Sequence, residues 1–259
     1  MAEQLVDICT PRDAASGIET QSASLNIVIP VYNEGPNIGT TLTRISECMQ
    51  AKSAEVATTL TIVYDFDEDN TLPVVEALRP TYPLPIRLQK NTRRGVCEAI
   101  KQGLLASTST FVLVTMADMS DEYEKLPSML DKALEGYDIV CGSRYMRGGH
   151  QYGGPLLKKT LSRLAGVSLH WLAGIATHDV TNSYKLYRRS LLNDIQIEST
   201  GGFEIGLEIV VKTFALKRPI AEVPSSWWDR SAGQSRFRLF KWIPLYFKWY
   251  LYALKARWI

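Results

Sequence analysis

Short, continuous runs of β-branched and apolar residues alternate along this chain with stretches in which apolar residues return every three or four positions. The runs fall at 25–31 (LNIVIPV), 59–63, 86–88, 111–115 (FVLVT), 137–141, 181–187 and 219–223. Runs of this kind, bounded by turn residues, read as strands buried on both faces. Between them, Ile38, Leu42, Ile45 and Met49, then Val96, Ala99, Ile100 and Leu104, mark helices with one apolar face each. Further helices are expected at 126–134, at 156–173 and in the stretch ending at Phe214. In 156–173, Leu157, Leu161, Leu164, Ser168 and Trp171 share one stripe, which reads as a core-facing surface. The alternation predicts an α/β protein with a mixed, mostly parallel sheet and helices on both faces.

Turn residues punctuate this pattern. Pro30 closes the first strand, and Asn33, Gly35 and Pro36 turn the chain into a helix. Thr71 is expected as a helix N-cap, with Pro73 in the first turn. Five glycines between Gly142 and Gly154 suggest a mobile, lid-like loop. Ligands of open α/β sheets bind outside the carboxyl ends of the strands. The loops at 30–36, 65–71, 91–95, 118–122 and 142–155 are therefore expected on one rim.

Composition narrows the function classes. At 259 residues, 46% hydrophobic and 22% charged, the chain suits one large domain with a tail. A net charge of +2 offers no field for nucleic acid. The charge is unevenly placed: residues 236–259 hold six cations and no acid. Residues 237–259 also hold nine aromatics, so this tail reads as an amphipathic, membrane-surface helix. The competing reading packs those aromatics on the body of the chain or on a second copy of it, the latter giving a homo-oligomer. Residues 1–24 form a polar leader without a signal-peptide pattern, and no run is long enough to span a bilayer. Cys9, Cys48, Cys97 and Cys141 and the histidines His150, His170 and His178 lack disulfide or zinc spacing. A cytoplasmic protein, peripheral on the cytoplasmic face of a membrane, fits these features.

The chemistry gathers at strand ends. The FVLVT strand delivers Asp118, Asp121 and Glu122 to its carboxyl end. Such acids suit a divalent cation carrying phosphate, although Asp118 and especially Asp121 could instead cap the helix near Tyr123. Asp65, Asp67, Glu68 and Asp69 follow the second strand, too many acids to be packing; they form a solvated loop or a carboxylate that reads a nucleobase. Arg93 and Arg94, beside a helix start, suit an anion, which adds Arg94 to the nucleotide-binding candidates. The absence of GxGxxG disfavours a dinucleotide site.

Taken in order, VIPVYNE (28–34), the acidic second loop, Ala117-Asp118, Gly142-Ser143-Arg144-Tyr145, and Asp229-Arg230 with Gly233-Gln234-Ser235-Arg236 resemble the family 2 glycosyltransferases of GT-A fold. Within that family the chain is similar to the dolichyl- or polyprenyl-phosphate mannosyltransferase group. The resemblance covers residues 25–236. It implies an inverting transfer from a GDP- or UDP-linked sugar to a polyprenyl phosphate. It also implies that Pro30, Tyr32 and Glu34 hold the nucleoside and that Asp65 reads the base. Asp118 matches the second aspartate of the DxD motif that binds Mg2+ or Mn2+. Arg144, Ser162, Arg230 and, more loosely, Arg236 match phosphate-engaging positions, and Lys158 stands where the group often has Arg. Asp118, Arg144 and Arg230 are thus the catalytic candidates.

One departure is Met116, which occupies the first position of that motif; a thioether is a poor ligand for either ion. Two alternatives keep the fold. In one, the acceptor is a hydroxyl and Asp179, Glu204 or Glu208 is the base. In the other, the chain binds donor without turning it over and serves as a partner subunit.

Overall fold

The computed structural model describes residues 23–229 and 239–258. The leader to Ser22, Arg230 and the Gly233–Arg236 segment lie outside the described residues. The strands are β1 (Ala23–Pro30), β2 (Val56–Tyr64), β3 (Ile86–Lys90), β4 (Phe111–Val114), β5 (Ile139–Ser143), β6 (His150–Tyr152), β7 (Lys185–Arg188), β8 (Ile220–Pro224) and β9 (Ser226–Trp228). The helices are α1 (Gly35–Met49), α2 (Thr71–Leu78), α3 (Val96–Ala106), α4 (Leu126–Leu134), α5 (Leu156–Ala173), α6 (Arg189–Asp194), α7 (Glu204–Ala215) and α8 (Leu239–Ala256).

Seven strands form one sheet in the order β3-β2-β1-β4-β7-β5-β8. All neighbours run parallel except β7, which is antiparallel to both β4 and β5. Strand pleating sends alternate residues to opposite faces. Ile27 and Ile29 of β1 join a core with Ile38 and Leu42 of α1 and Leu126 and Leu130 of α4. Val28, between them, joins the opposite core with Leu104 of α3, Leu207 and Val211 of α7 and Trp249 of α8. The sheet is covered on both faces, which is why its strands read as unbroken apolar runs. Gly103 lets α3 lie close on β1, since a Cβ there would sit 2.3 Å from Val28 Cγ1.

Three local expectations change. The glycine-rich segment 142–155 is not simply a loop: β6 forms within it and pairs in parallel with β9, registering Gln151 with Trp227. Gly153, at φ +73°, turns the chain out of that strand. The Leu157–Trp171 stripe of α5 is not core: Leu157 is 53%, Leu164 60% and Trp171 72% exposed. Gly166, Leu169 and Ala173 face inward instead. Glycine is required at 166 because the 178–179 backbone presses on it; a Cβ there would lie 2.1 Å from His178 O. Thr71 is the first residue of α2 rather than its cap, and its N–H donates to Asp69 Oδ1 at 2.9 Å.

Helix α8 serves two surfaces. Trp249 and Ala253 are buried against the body, whereas Ile243, Phe247 and Leu251 are exposed. It packs along α7 and α5, and Tyr250 OH shares a hydrogen bond with Ser168 Oγ at 2.9 Å.

Candidate functional site

The carboxyl ends of β1, β2 and β3 hold each other through side chains. Asn33, at φ +55°, donates its N–H to Asp69 Oδ1 and Oδ2 at 3.1 and 3.0 Å. Glu34 N–H donates to Thr71 Oγ1 and Gly35 N–H to Asn70 Oδ1, both at 2.9 Å. Asp69 is only 1% exposed, so one acid of this loop is packing after all. Its buried charge is tolerated because backbone N–H groups solvate it. Asp65 accepts from Asn91 Nδ2 at 2.9 Å and from Gly95 N–H at 3.0 Å. Phe66 beside it meets the Tyr32 ring edge-on at 5.2 Å, and the Arg94 guanidinium lies 5.8 Å from its centroid. Pro30 ends β1 beneath this group, and Glu34 accepts from Asn37 Nδ2 at 2.9 Å. Tyr32, Asp65 and Arg94, from three loops, thus stand on one rim with Pro30 and Glu34.

Beyond β4 the chain makes a tight acidic turn. Asp118, 7% exposed, accepts the Ser120 N–H at 3.2 Å. Asp121 caps no helix; one of its oxygens accepts from Thr115 Oγ1 at 2.8 Å and Met116 N–H at 3.2 Å, bracing the turn from behind. Burial, with a smaller push from the Asp118 charge and an offset from the Thr115 hydrogen bond, raises the Asp121 carboxyl to about 6. The folded state therefore holds a proton there that the unfolded chain releases near pH 4. Stability should fall as pH rises from about 4 to about 6 and level off above, because the folded state binds more protons in that window. In metal-free buffer, urea unfolding of Asp121→Asn is expected to flatten that slope; an unchanged slope counts against the raised carboxyl.

The remaining candidates meet across one cavity of ≈ 630 Å3. Met116, Asp118, Arg144, Lys158 and Ser162 line its polar part, and Leu161, Ala165, Phe203, Leu207, Ile243 and Phe247 line an apolar part between α5, α7 and α8. Arg144, at the end of β5, is 8% exposed and gripped by Asp179: Nε donates to Oδ2 at 2.7 Å and Nη2 to Oδ1 at 2.9 Å. The same Nη2 reaches Ser162 Oγ and Thr181 Oγ1 at 3.1 and 3.0 Å. Burial opposes the Asp179 charge, but the Arg144 guanidinium outweighs it and holds the carboxyl below its ordinary value. Lys158 Nζ lies 6.0 Å from the Trp227 ring. Gln151, Asn182, Ser183, Trp227 and Asp229 also line this cavity, and only Asp229 had been singled out by pattern.

The model of glycosyl transferase family 2 matches residues 26–196, most of the described body. The chain belongs to glycosyl transferase family 2. It is 25% identical over 218 residues to a dolichol-phosphate mannosyltransferase of Pyrococcus furiosus, covering 83% of this chain and 59% of that one. It thus spans little more than half of that relative's length. It is 28% identical over 219 residues to a polyprenol monophosphomannose synthase of Mycolicibacterium smegmatis, covering 81% of this chain and 79% of that one. Glucosyl-3-phosphoglycerate synthase of Mycobacterium tuberculosis, solved with Mn2+, UDP and glucosyl-3-phosphoglycerate, shares the fold. The two superpose with a TM-score of 0.63 at 18% identity, over 91% of this chain and 80% of that one.

Among the described residues no cluster of three or more His, Cys, Asp or Glu could hold a metal ion. Met116 packs against the apolar core beside Val114. Asp118 and Asp229 are the acids lining the cavity, a hard-oxygen set that suits an ion arriving with phosphates rather than a cage built by protein alone. The carboxylates weighed as bases for a hydroxyl acceptor are engaged elsewhere. Asp179 holds Arg144, Glu204 accepts the Gly201 and Gly202 N–H groups at 2.7 and 2.6 Å, and Glu208 accepts those of Glu198 and Ser199 at 2.6 and 2.8 Å. None of the three is among the residues that line the cavity.

Proposed function

We propose that the chain transfers a sugar from a GDP- or UDP-linked donor to a polyprenyl phosphate at a membrane surface, inverting the anomeric centre. The observation that carries this reading is a single cavity that combines Arg144, Lys158 and Ser162 with apolar walls from α5, α7 and α8. A lipid phosphate combines the same two characters. Its oxygen is already an anion and needs no base, in keeping with three carboxylates that are bonded away. The chain's task is to hold donor and acceptor in line, and Tyr32, Glu34, Asp65 and Arg94 on the neighbouring rim are assigned to the nucleoside and its phosphates. Arg230 and, more loosely, Arg236 join the phosphate ligands on sequence alone. The relatives' names, which speak of dolichol phosphate and polyprenol, favour the lipid acceptor.

Asp118, with Asp229 nearby, is assigned to Mg2+ or Mn2+, which would neutralise the departing diphosphate. The likeness to a fold solved with Mn2+ and UDP supports this choice. Incubation with labelled nucleotide sugars, either ion and polyprenyl phosphate tests the reading. Label is expected in the organic phase; soluble glycoside, or binding without turnover, would overturn it.

The membrane contact is assigned to the outer faces of α5 and α8. Leu156, Leu164, Trp171 and Leu172 of α5 and Ile243, Phe247 and Leu251 of α8 are exposed, and neither helix contains an acid. Lys158, Lys159, Arg163, Lys248 and Lys255 on the same helices would each add about 1 kcal/mol near an anionic surface. No helix among the described residues is long and apolar enough to cross a membrane. In flotation with vesicles containing anionic lipid, wild type is expected to float. Leu164→Ser/Trp171→Ser/Phe247→Ser is expected to stay at the bottom, and equal partitioning would remove the membrane assignment.

A further inference from the structure

On the cavity wall near Arg144, two polar side chains have bonding capacity left over. Asn182 is only 6% exposed. Its Nδ2 donates to Gly142 O at 2.8 Å. That carbonyl can only accept, so the amide orientation is fixed and Oδ1 is the free end. Oδ1 has no hydrogen-bond partner among the described residues, yet it is not sealed off, and Asn182 lines the cavity. Ser183 lines the same cavity, and its hydroxyl likewise has no partner among the described residues.

The backbone that presents them is held firmly from behind. Asp179 Oδ1 accepts the Asn182 N–H at 3.1 Å and the Thr181 hydroxyl at 3.2 Å. Lys185, wholly buried in β7, donates its Nζ to Val180 O at 3.2 Å and to Asn182 O. A buried lysine committed to two main-chain carbonyls fixes the loop whose side chains meet the cavity. An amide oxygen this enclosed is ordinarily satisfied by a bound group or by water.

Its position says which group. Asp118 and Met116, and with them Arg144, Lys158 and Ser162, line the same cavity. If the first set holds the donor diphosphate and the second the acceptor phosphate, the sugar ring must lie between them. A ring hydroxyl can donate to Asn182 Oδ1, and another can donate to or accept from Ser183 Oγ. We propose that Asn182 and Ser183 bind ring hydroxyls of the transferred hexose and thereby set which sugar the chain accepts. This inference rests on the reading of the cavity as a nucleotide-sugar site.

Removing one hydroxyl at a time from each partner tests it. The probes are UDP-glucose, UDP-galactose and GDP-mannose, each with its 2-, 3-, 4- and 6-deoxy analogues. For the preferred hexose, wild type should lose about ten-fold in kcat/KM on the analogue lacking the hydroxyl that Ser183 binds. Ser183→Ala breaks no side-chain bond among the described residues and should fold normally. It should lose about ten-fold on the parent hexose and almost nothing on that one analogue, so discrimination closes at a single ring position. Asn182→Ala should do the same at a different position, with affinity for UDP or GDP alone unchanged in both variants. If discrimination is unchanged at every ring position in both variants, or if UDP or GDP binding weakens equally, the inference falls. Should wild type glycosylate no acceptor, the same cycle is read in Kd by calorimetry. Position-specific loss there upholds the sugar contact while the transfer reading fails, and uniform affinities reject it.

Discussion

Asp118→Asn is expected to abolish sugar transfer, by on the order of 10^3-fold or more, whereas Met116→Asp is expected to retain activity and bind Mn2+ more tightly in the absence of donor. Asp118 stands on the cavity wall with its carboxylate braced by the Ser120 N–H, and the neighbouring Met116 offers no hard oxygen. Asp118 is the acid of the motif that would hold the ion, and without it the ion would lose its positioned carboxylate; a lost charge-stabilising contact of this kind costs several kcal/mol in a transition state. Met116 shares the cavity with Asp118, so an aspartate there would add a second hard ligand at the price of some contact with the apolar core. Initial rates across a Mn2+ titration provide the measurement. Full activity in Asp118→Asn would reject the assignment of the ion to this residue.

The second large effect concerns stability. Asp179→Ala should destabilise the protein by about 3–5 kcal/mol, since it strands the buried Arg144 guanidinium without its bidentate partner. Replacing both partners, Arg144→Met with Asp179→Leu, should recover only part of that loss: the uncompensated guanidinium is gone, but the Arg144 and Asn182 N–H groups and the Thr181 hydroxyl, which Asp179 also accepts, are left without that partner. Activity should not return with it, as the cavity would then lack a guanidinium beside Ser162. Urea unfolding of the two single variants and the double variant, run beside the transfer assay, separates the two roles. A double variant as active as wild type would remove Arg144 from the phosphate site.

The sheet was legible because its strands are covered on both faces, so β4 is apolar at every position and β1 at all of 25–30 except Asn26. The reversal of β7 was not, since Lys185–Arg188 has nothing in its side chains that specifies direction; its neighbours on both sides impose it. Helix α5 was placed correctly in the chain but with the wrong side inward. Hydropathy favours leucine over glycine for the core, whereas close approach of the 178–179 backbone favours Gly166. Asp118, Arg144, Lys158 and Ser162, far apart in sequence, line one cavity; only the first two belong to the loops expected on one rim, and the others come from helix α5. Asp69 was misjudged because acids in a loop look solvated until the N–H groups that surround them are seen. Asn182 and Ser183 gave no signal at all, being the residue types any turn can use.

Helix α8 has its inward edge, Trp249 and Ala253, among the residues that cover the sheet. Shortening the chain ahead of it would uncover tryptophan and α7 rather than trim an appendage. Whatever grips the outer edge of that helix therefore also grips the folded state: lipid that bound there would raise the melting temperature through simple mass action, and stripping the lipid away would lower it.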